Sequence, residues 1–135
     1  MGNRARIKLV EGSTVENAAL EELKRLLNRY IELTRHTGEQ LGWSYADAAF
    51  PYTFAEAEKA EDRNRWFYLK GKHPNYRFIV FGIEDEKTFF IALPKGATQS
   101  DKAKAVEFAK YLGKALKAEV ELFNGRIMYY NPRKV

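Results

Sequence analysis

The sequence predicts an α+β domain, a mostly antiparallel sheet of about five or six strands with two amphipathic helices on one face. Three observations carry this. Residues 65–93 read as three consecutive strands joined by short turns, and two other stretches repeat their apolar residues at helical spacing. The chain then closes around Asn124-Gly125, the strongest short hairpin signal, because both turn residues tolerate φ > 0. The predicted order is β-α-irregular-β-β-β-α-β-β.

The first strand lies in Arg4–Val10, where Ala5, Ile7 and Leu9 alternate with Arg4, Arg6 and Lys8. Glu11-Gly12 breaks it. Ser13 and Glu16 stand at capping-box spacing, so a helix is expected to start there. Leu20, Leu23, Leu27, Tyr30, Ile31 and Thr34 form its apolar face, and Gly38 supplies a C-terminal stop. Residues 39–64 are the least regular. Ser44 and Asp47, then Thr53 and Glu56, each have the spacing of a short-helix cap, with Pro51 between them.

Strands follow at Arg65–Lys70, Tyr76–Ile83 and Lys87–Leu93. The runs Phe78-Ile79-Val80-Phe81 and Phe89-Phe90-Ile91-Ala92-Leu93 are apolar on both faces, which predicts central strands covered on both sides. Thr98 or Ser100 caps a second helix ending near Lys117, with Ala105, Phe108, Ala109, Leu112 and Leu116 inward. The hairpin pairs Glu119–Phe123 with Arg126–Tyr130. Two helices cover only one face of such a sheet. The other face is then wet, covered by residues 39–64, or pressed against a partner.

At 135 residues the chain is expected to form one domain over 1–135, hiding about two-thirds of its unfolded surface. It has no cysteine, which excludes disulfides, thiolate nucleophiles and cysteine-ligated metal. No signal sequence or apolar span is read, so a cytoplasmic location is expected. The net charge is +5 and the pI about 9.4, which suits solubility as well as it suits a polyanion.

No catalytic motif is legible. His36 and Glu39 have metal-ligand spacing on a helix, but Gly38 intervenes and no second histidine is near; His36 reads as a helix-terminal cation and His73 as a solvated turn residue. No cofactor and no metal are expected. Trp66, Phe67, Tyr68, Tyr76, Tyr129 and Tyr130, with Arg65, Lys70, Lys72, Arg77 and Arg126, have the composition of a base-stacking platform, although no ribonucleoprotein consensus is matched. The irregular segment sets Trp43, Tyr45, Phe50 and Tyr52 among small residues, a plug for the core or a pocket rich in aromatic anchors.

That segment from Gly38 to Tyr52, with Phe123-Asn124-Gly125-Arg126-Ile127-Met128-Tyr129 and the closing Asn131-Pro132-Arg133-Lys134, resembles a small family of uncharacterised intracellular proteins from spore-forming Gram-positive bacteria, catalogued as a domain of unknown function. The likeness covers nearly the whole chain. It implies a compact single-domain protein and brings no activity, substrate or site residue.

The resulting expectation is a non-enzymatic binding or assembly module. It acts through the open sheet face or the aromatic loop 38–54, where Glu39, Trp43, Tyr45, Phe50 and Tyr52 are the candidate binding residues. The expected partner is a second copy or another protein, and no membrane. Single-stranded nucleic-acid binding is an alternative that is not favoured. A small enzyme with a pocket near His36, Glu39 and Tyr45 is a second alternative.

Overall fold

The alternation of Ala5 and Ile7 with charged neighbours does form a strand, β1 (Arg4–Lys8), in which both apolar side chains are fully buried. The structure, a computed structural model, describes residues 4–41 and 50–130, with side chains described outside 36–41. The remaining elements are α1 (Leu20–Leu41), β2 (Tyr52–Glu56), a single 3₁₀ turn (Ala60–Asp62), β3 (Trp66–Gly71), β4 (Phe78–Asp85), β5 (Thr88–Ala92), α2 (Gln99–Leu116), β6 (Glu119–Glu121) and β7 (Ile127–Tyr129).

The seven strands make one sheet in the order β2-β3-β4-β5-β1-β6-β7, and every neighbouring pair is antiparallel. Strands β2 to β5 form a meander. The N-terminal strand then inserts between β5 and β6, so α2 is the crossover that carries the chain over β1. Both helices lie on the same side. Leu23 and Leu27 of α1, and Phe108, Leu112 and Leu116 of α2, meet Ile7, Phe67, Leu69, Ile79, Phe81, Phe89 and Ile91 in one core. At its centre Phe67 and Phe81 stack with centroids 5.5 Å apart.

The predicted α+β class and its two helices are present, and the structure adds a strand. Tyr52–Glu56 is the edge strand β2 rather than a helix cap, in keeping with the strand preference of its Tyr, Thr and Phe. The cap expected at Ser44 lies outside the described residues.

Helix α1 also starts later than expected, at Leu20. Ser13 is engaged elsewhere: its Oγ accepts from Val10 N–H at 2.9 Å and donates to the Lys117 carbonyl at 3.0 Å. The Thr14 N–H donates to the Leu116 carbonyl at 3.0 Å. These bonds tie the loop after β1 to the end of α2, and local side-chain bonding of this kind competes with helix formation. At the other end α1 runs through Gly38 to Leu41. An internal glycine costs only about 1 kcal/mol against alanine, too little to end a well-packed helix.

Helix α2 begins as predicted at Thr98. The Thr98 Oγ accepts from Asp101 N–H while the Asp101 carboxylate accepts from Thr98 N–H, a complete capping box. The closing hairpin turns at Gly125 with φ of 86°. Its strands are shorter than predicted, three residues each.

Candidate functional site

Residues directly opposite one another in a ladder share a face. The registers therefore assign the side of the sheet turned away from the helices. It carries Thr53 and Ala55 of β2, Trp66, Tyr68 and Lys70 of β3, and Phe78, Val80 and Gly82 of β4. Beyond these come Phe90 and Ala92 of β5, Arg4, Arg6 and Lys8 of β1, Glu119 and Glu121 of β6, and Ile127 and Tyr129 of β7. No described element packs on this face.

Among the described residues, coverage of β4 and β5, expected on both sides from their apolar runs, comes from the helices on one side only. Both strands are central, but only Ile79, Phe81, Phe89 and Ile91 are sealed by helices. Their outward partners Phe78, Val80, Phe90 and Ala92 are half-buried by one another and by β3. Trp66 and Tyr68 lie 6.2 Å apart between ring centroids, and Tyr68 meets Phe78 edge-on at 5.7 Å. Gly82 has a specific part here. A Cβ at that position would lie 2.5 Å from the ring of Phe90, its cross-strand partner, so only glycine lets that ring lie down on the sheet. The patch is continuous from Trp66 to Ala92.

A charged column borders the patch. The Arg4 guanidinium sits 4.1 Å over the Phe90 ring, a cation–π contact. Glu84 holds both arginines, at 3.4 Å from Arg4 Nη1 and 2.9 Å from Arg6 Nε, and Arg6 also reaches Glu121 at 3.7 Å. Asp85, at the rim beside Lys8, has its carboxyl held below the ordinary range, first by the Lys87 N–H it accepts, then by Thr88 and Lys8. Cations on β1 are thus matched by carboxylates on β4 and β6.

The residues proposed for nucleic-acid stacking divide between two sides. Trp66, Tyr68 and Tyr129 lie on the open face, whereas Phe67 is in the core and Tyr76 packs against the buried Tyr52 with centroids 5.5 Å apart. Tyr130 is partly buried against the core.

Of the five candidate binding residues, Trp43 and Tyr45 lie outside the described residues. Glu39 falls in α1, and its side chain, like that of His36, is not among those described. Phe50 and Tyr52 are 4% and 2% exposed. Phe50 packs on Tyr30, Phe108 and Tyr52, so both rings serve the core under α1 and α2.

The Tyr52 hydroxyl donates to Asp101 Oδ1 at 2.6 Å. Burial, then the bond to Asp101 and its charge, push that hydroxyl well above the ordinary tyrosine range. Asp101 is fully buried and accepts three further bonds: the Arg77 N–H lies 3.0 Å from both oxygens, and the Thr98 N–H 2.9 Å from Oδ2. The Thr98 hydroxyl donates to the Asn75 carbonyl at 2.6 Å. One carboxylate thus pins the β3–β4 turn to the start of α2. Sequence reasoning read Thr98 as a cap but gave no sign of this hub, whose donors lie 24 and 49 residues away.

Above the pinned turn lies a concavity of about 330 Å³, lined by Lys70, Gly71, Pro74, Tyr76, Arg77 and Phe78. Among the described residues no cluster of three or more His, Asp or Glu is placed to hold a metal ion, and no helix is long and apolar enough to cross a membrane.

The described residues thus form an antiparallel sheet with helices on one side and an aromatic patch on the other. A family model described as a domain of unknown function (DUF1885) matches residues 3–132, and the chain belongs to that family. It is also similar to a protein of unknown function from Bacillus stearothermophilus whose crystal structure is solved, with 43% identity over 92% of this chain and 95% of that one, and a TM-score of 0.59. No curated protein matches the chain.

Proposed function

We propose that this protein is a non-catalytic assembly module that pairs with a second copy of itself, open sheet face against open sheet face. The observation that carries the reading is the uncovered patch of Trp66, Tyr68, Phe78, Val80 and Phe90, bordered by cations already matched to carboxylates. Aromatic clusters of this kind anchor protein interfaces. Phosphate binding instead draws on cations free to exchange their counterions. Here Arg4 and Arg6 are held by Glu84 and Glu121, which favours a protein partner over a nucleic-acid strand.

A second copy suits the face because its charge is self-balanced. Arg4, Arg6 and Lys8 stand against Glu84, Glu119 and Glu121, so twofold pairing matches the charges of the β1 border and leaves Lys70, at the end of β3, as the cation to be kept at the rim. Seven strands at about 4.8 Å spacing make a face about 29 Å wide and about 17 Å tall. That outline of about 490 Å² is below the ~800 Å² per partner of an ordinary stable interface, so the pairing is expected to be weak and concentration-dependent. The cysteine-free composition suits a reducing compartment, and we place the protein in the cytoplasm of a spore-forming Gram-positive bacterium, in keeping with its Bacillus relative.

Sedimentation velocity across a concentration series tests the pairing. The wild type is expected to shift from monomer to dimer, and Val80→Glu or Ala92→Glu, each placing a charge in the patch, to stay monomeric. A strict monomer at high concentration, or dimerisation unaffected by both variants, overturns the reading.

A further inference from the structure

We infer that the concavity at the end of the β3–β4 hairpin is a binding site for a small aryl phosphate, a planar ring bearing one phosphate group. The walls argue for the ring. Phe78, Tyr76 and Pro74 supply flat apolar surface, and about 330 Å³ holds one substituted ring, at the small end of ligand pockets.

The cations argue for the phosphate. Lys70 and Arg77 both line the space, both are exposed, and neither is held by an ion pair among the described residues. In this they differ from Arg4, Arg6, Arg25, Arg35 and Arg63, each of which has a carboxylate partner. Two free cations match an aryl phosphate, which carries nearly two negative charges at neutral pH, and the arginine fork suits its oxygens.

The pocket is also held in shape before any ligand arrives. Asp101 grips the Arg77 N–H with both oxygens, Gly71 N–H donates to the Arg77 carbonyl at 2.8 Å, and Thr98 holds the Asn75 carbonyl. Gly71 is needed for the closeness of this fold, since a Cβ there would lie 1.8 Å from the Tyr76 carbonyl oxygen. A rigid turn loses little freedom on binding, which favours affinity from few contacts.

The test is a titration of the full chain with phenyl phosphate, followed by amide chemical shifts. Saturable shifts confined to residues 70–78 are expected, weakened at least tenfold in Lys70→Met and in Arg77→Met, whose side chains are solvent-facing and leave the backbone network intact. Benzoate and inorganic phosphate are each expected to bind at least tenfold more weakly. No saturable shift at 70–78, inorganic phosphate or benzoate binding as tightly as phenyl phosphate, or unchanged affinity in both variants overturns the inference. Repeating the titration with Ala92→Glu, which lies across from Val80 in the open patch and outside the pocket lining, separates this site from assembly: the unpaired variant is expected to bind phenyl phosphate at least as tightly as the wild type, since Lys70 and Phe78 share the open face and are then uncovered.

Discussion

Replacing Tyr52 with phenylalanine isolates one bond of the buried hub. The ring stays, with its packing against Phe50, Tyr76 and Phe108, and only the hydroxyl that donates to Asp101 at 2.6 Å is lost. A hydrogen bond to a charged acceptor contributes about 1.5–3 kcal/mol. Asp101 Oδ1 keeps the Arg77 N–H at 3.0 Å, so the carboxylate is not orphaned and the loss should be about 2 kcal/mol. For a domain of this size that lowers Tm by about 6–10 °C.

The same bond has a signature in alkali. The Tyr52 hydroxyl is pushed above its ordinary range when folded, so it ionises first in the unfolded chain. Its contribution is therefore full below about pH 10 and lost above it, at about 1.4 kcal/mol per pH unit. Urea unfolding followed by circular dichroism at pH 7 and at about pH 11 should show Tyr52→Phe less stable at pH 7, with the gap narrowing in alkali. Tyr111, whose hydroxyl is also shifted upward by burial, is common to both proteins and cancels in the difference. A loss below about 0.5 kcal/mol at pH 7, or a gap that widens with pH, would refute the reasoning.

Other substitutions test the packing. Gly113→Ala raises helix propensity in α2, yet its Cβ would lie 2.1 Å from Val120 Cγ2. The overpacking should win, destabilising by about 1–3 kcal/mol in urea unfolding, and a gain in stability would show that β6 yields easily. Gly125→Ala meets no atom within 4 Å but must hold φ near 86°, so it should cost about 1–2 kcal/mol through backbone strain alone. A neutral result would mean the hairpin turn changes type. Gly82→Ala should lift the Phe90 ring from the sheet, and loss of the ring-current shifts on the Arg4 side chain would report it, while unchanged shifts would mean the ring tolerates the methyl in place.

Local chemistry made the strands legible wherever a turn or an alternation stood beside them. Arg4–Lys8 alternates without exception, Asn124-Gly125 admits positive φ, and Thr98 with Asp101 caps α2. Edge strand β2 was obscured because Thr53 and Glu56 also have cap spacing. Ser13 mimics a helix cap locally, but its bond to Lys117 spans 104 residues, and no local pattern reports that.

The candidate site was legible in part. Counting two helices against the strands foretells an open face. Which residues occupy it depends on register, and on β1 entering between β5 and β6, which brings Arg4 over Phe90. Phe67 and Tyr68 look equivalent in sequence but point to opposite sides of β3. Continuous apolar runs in β4 and β5 signal burial on both sides in a covered sheet, whereas among the described residues the outward half forms the patch. Phe50 and Tyr52, in the segment read as either a plug for the core or a pocket of aromatic anchors, are drawn inward by Phe108 and by the buried carboxylate of Asp101.

The pairing of two open faces is tested most directly by a cysteine placed at the centre of the patch. The chain has no native cysteine, so Val80→Cys carries a single thiol on that face. Facing sheets lie about 10 Å apart, within reach of a short bis-maleimide linker. Twofold pairing predicts rapid conversion to a covalent dimer, with Lys110→Cys on the exposed side of α2 remaining monomeric under the same treatment. Equal cross-linking of the two variants, or none at Val80→Cys, would contradict it.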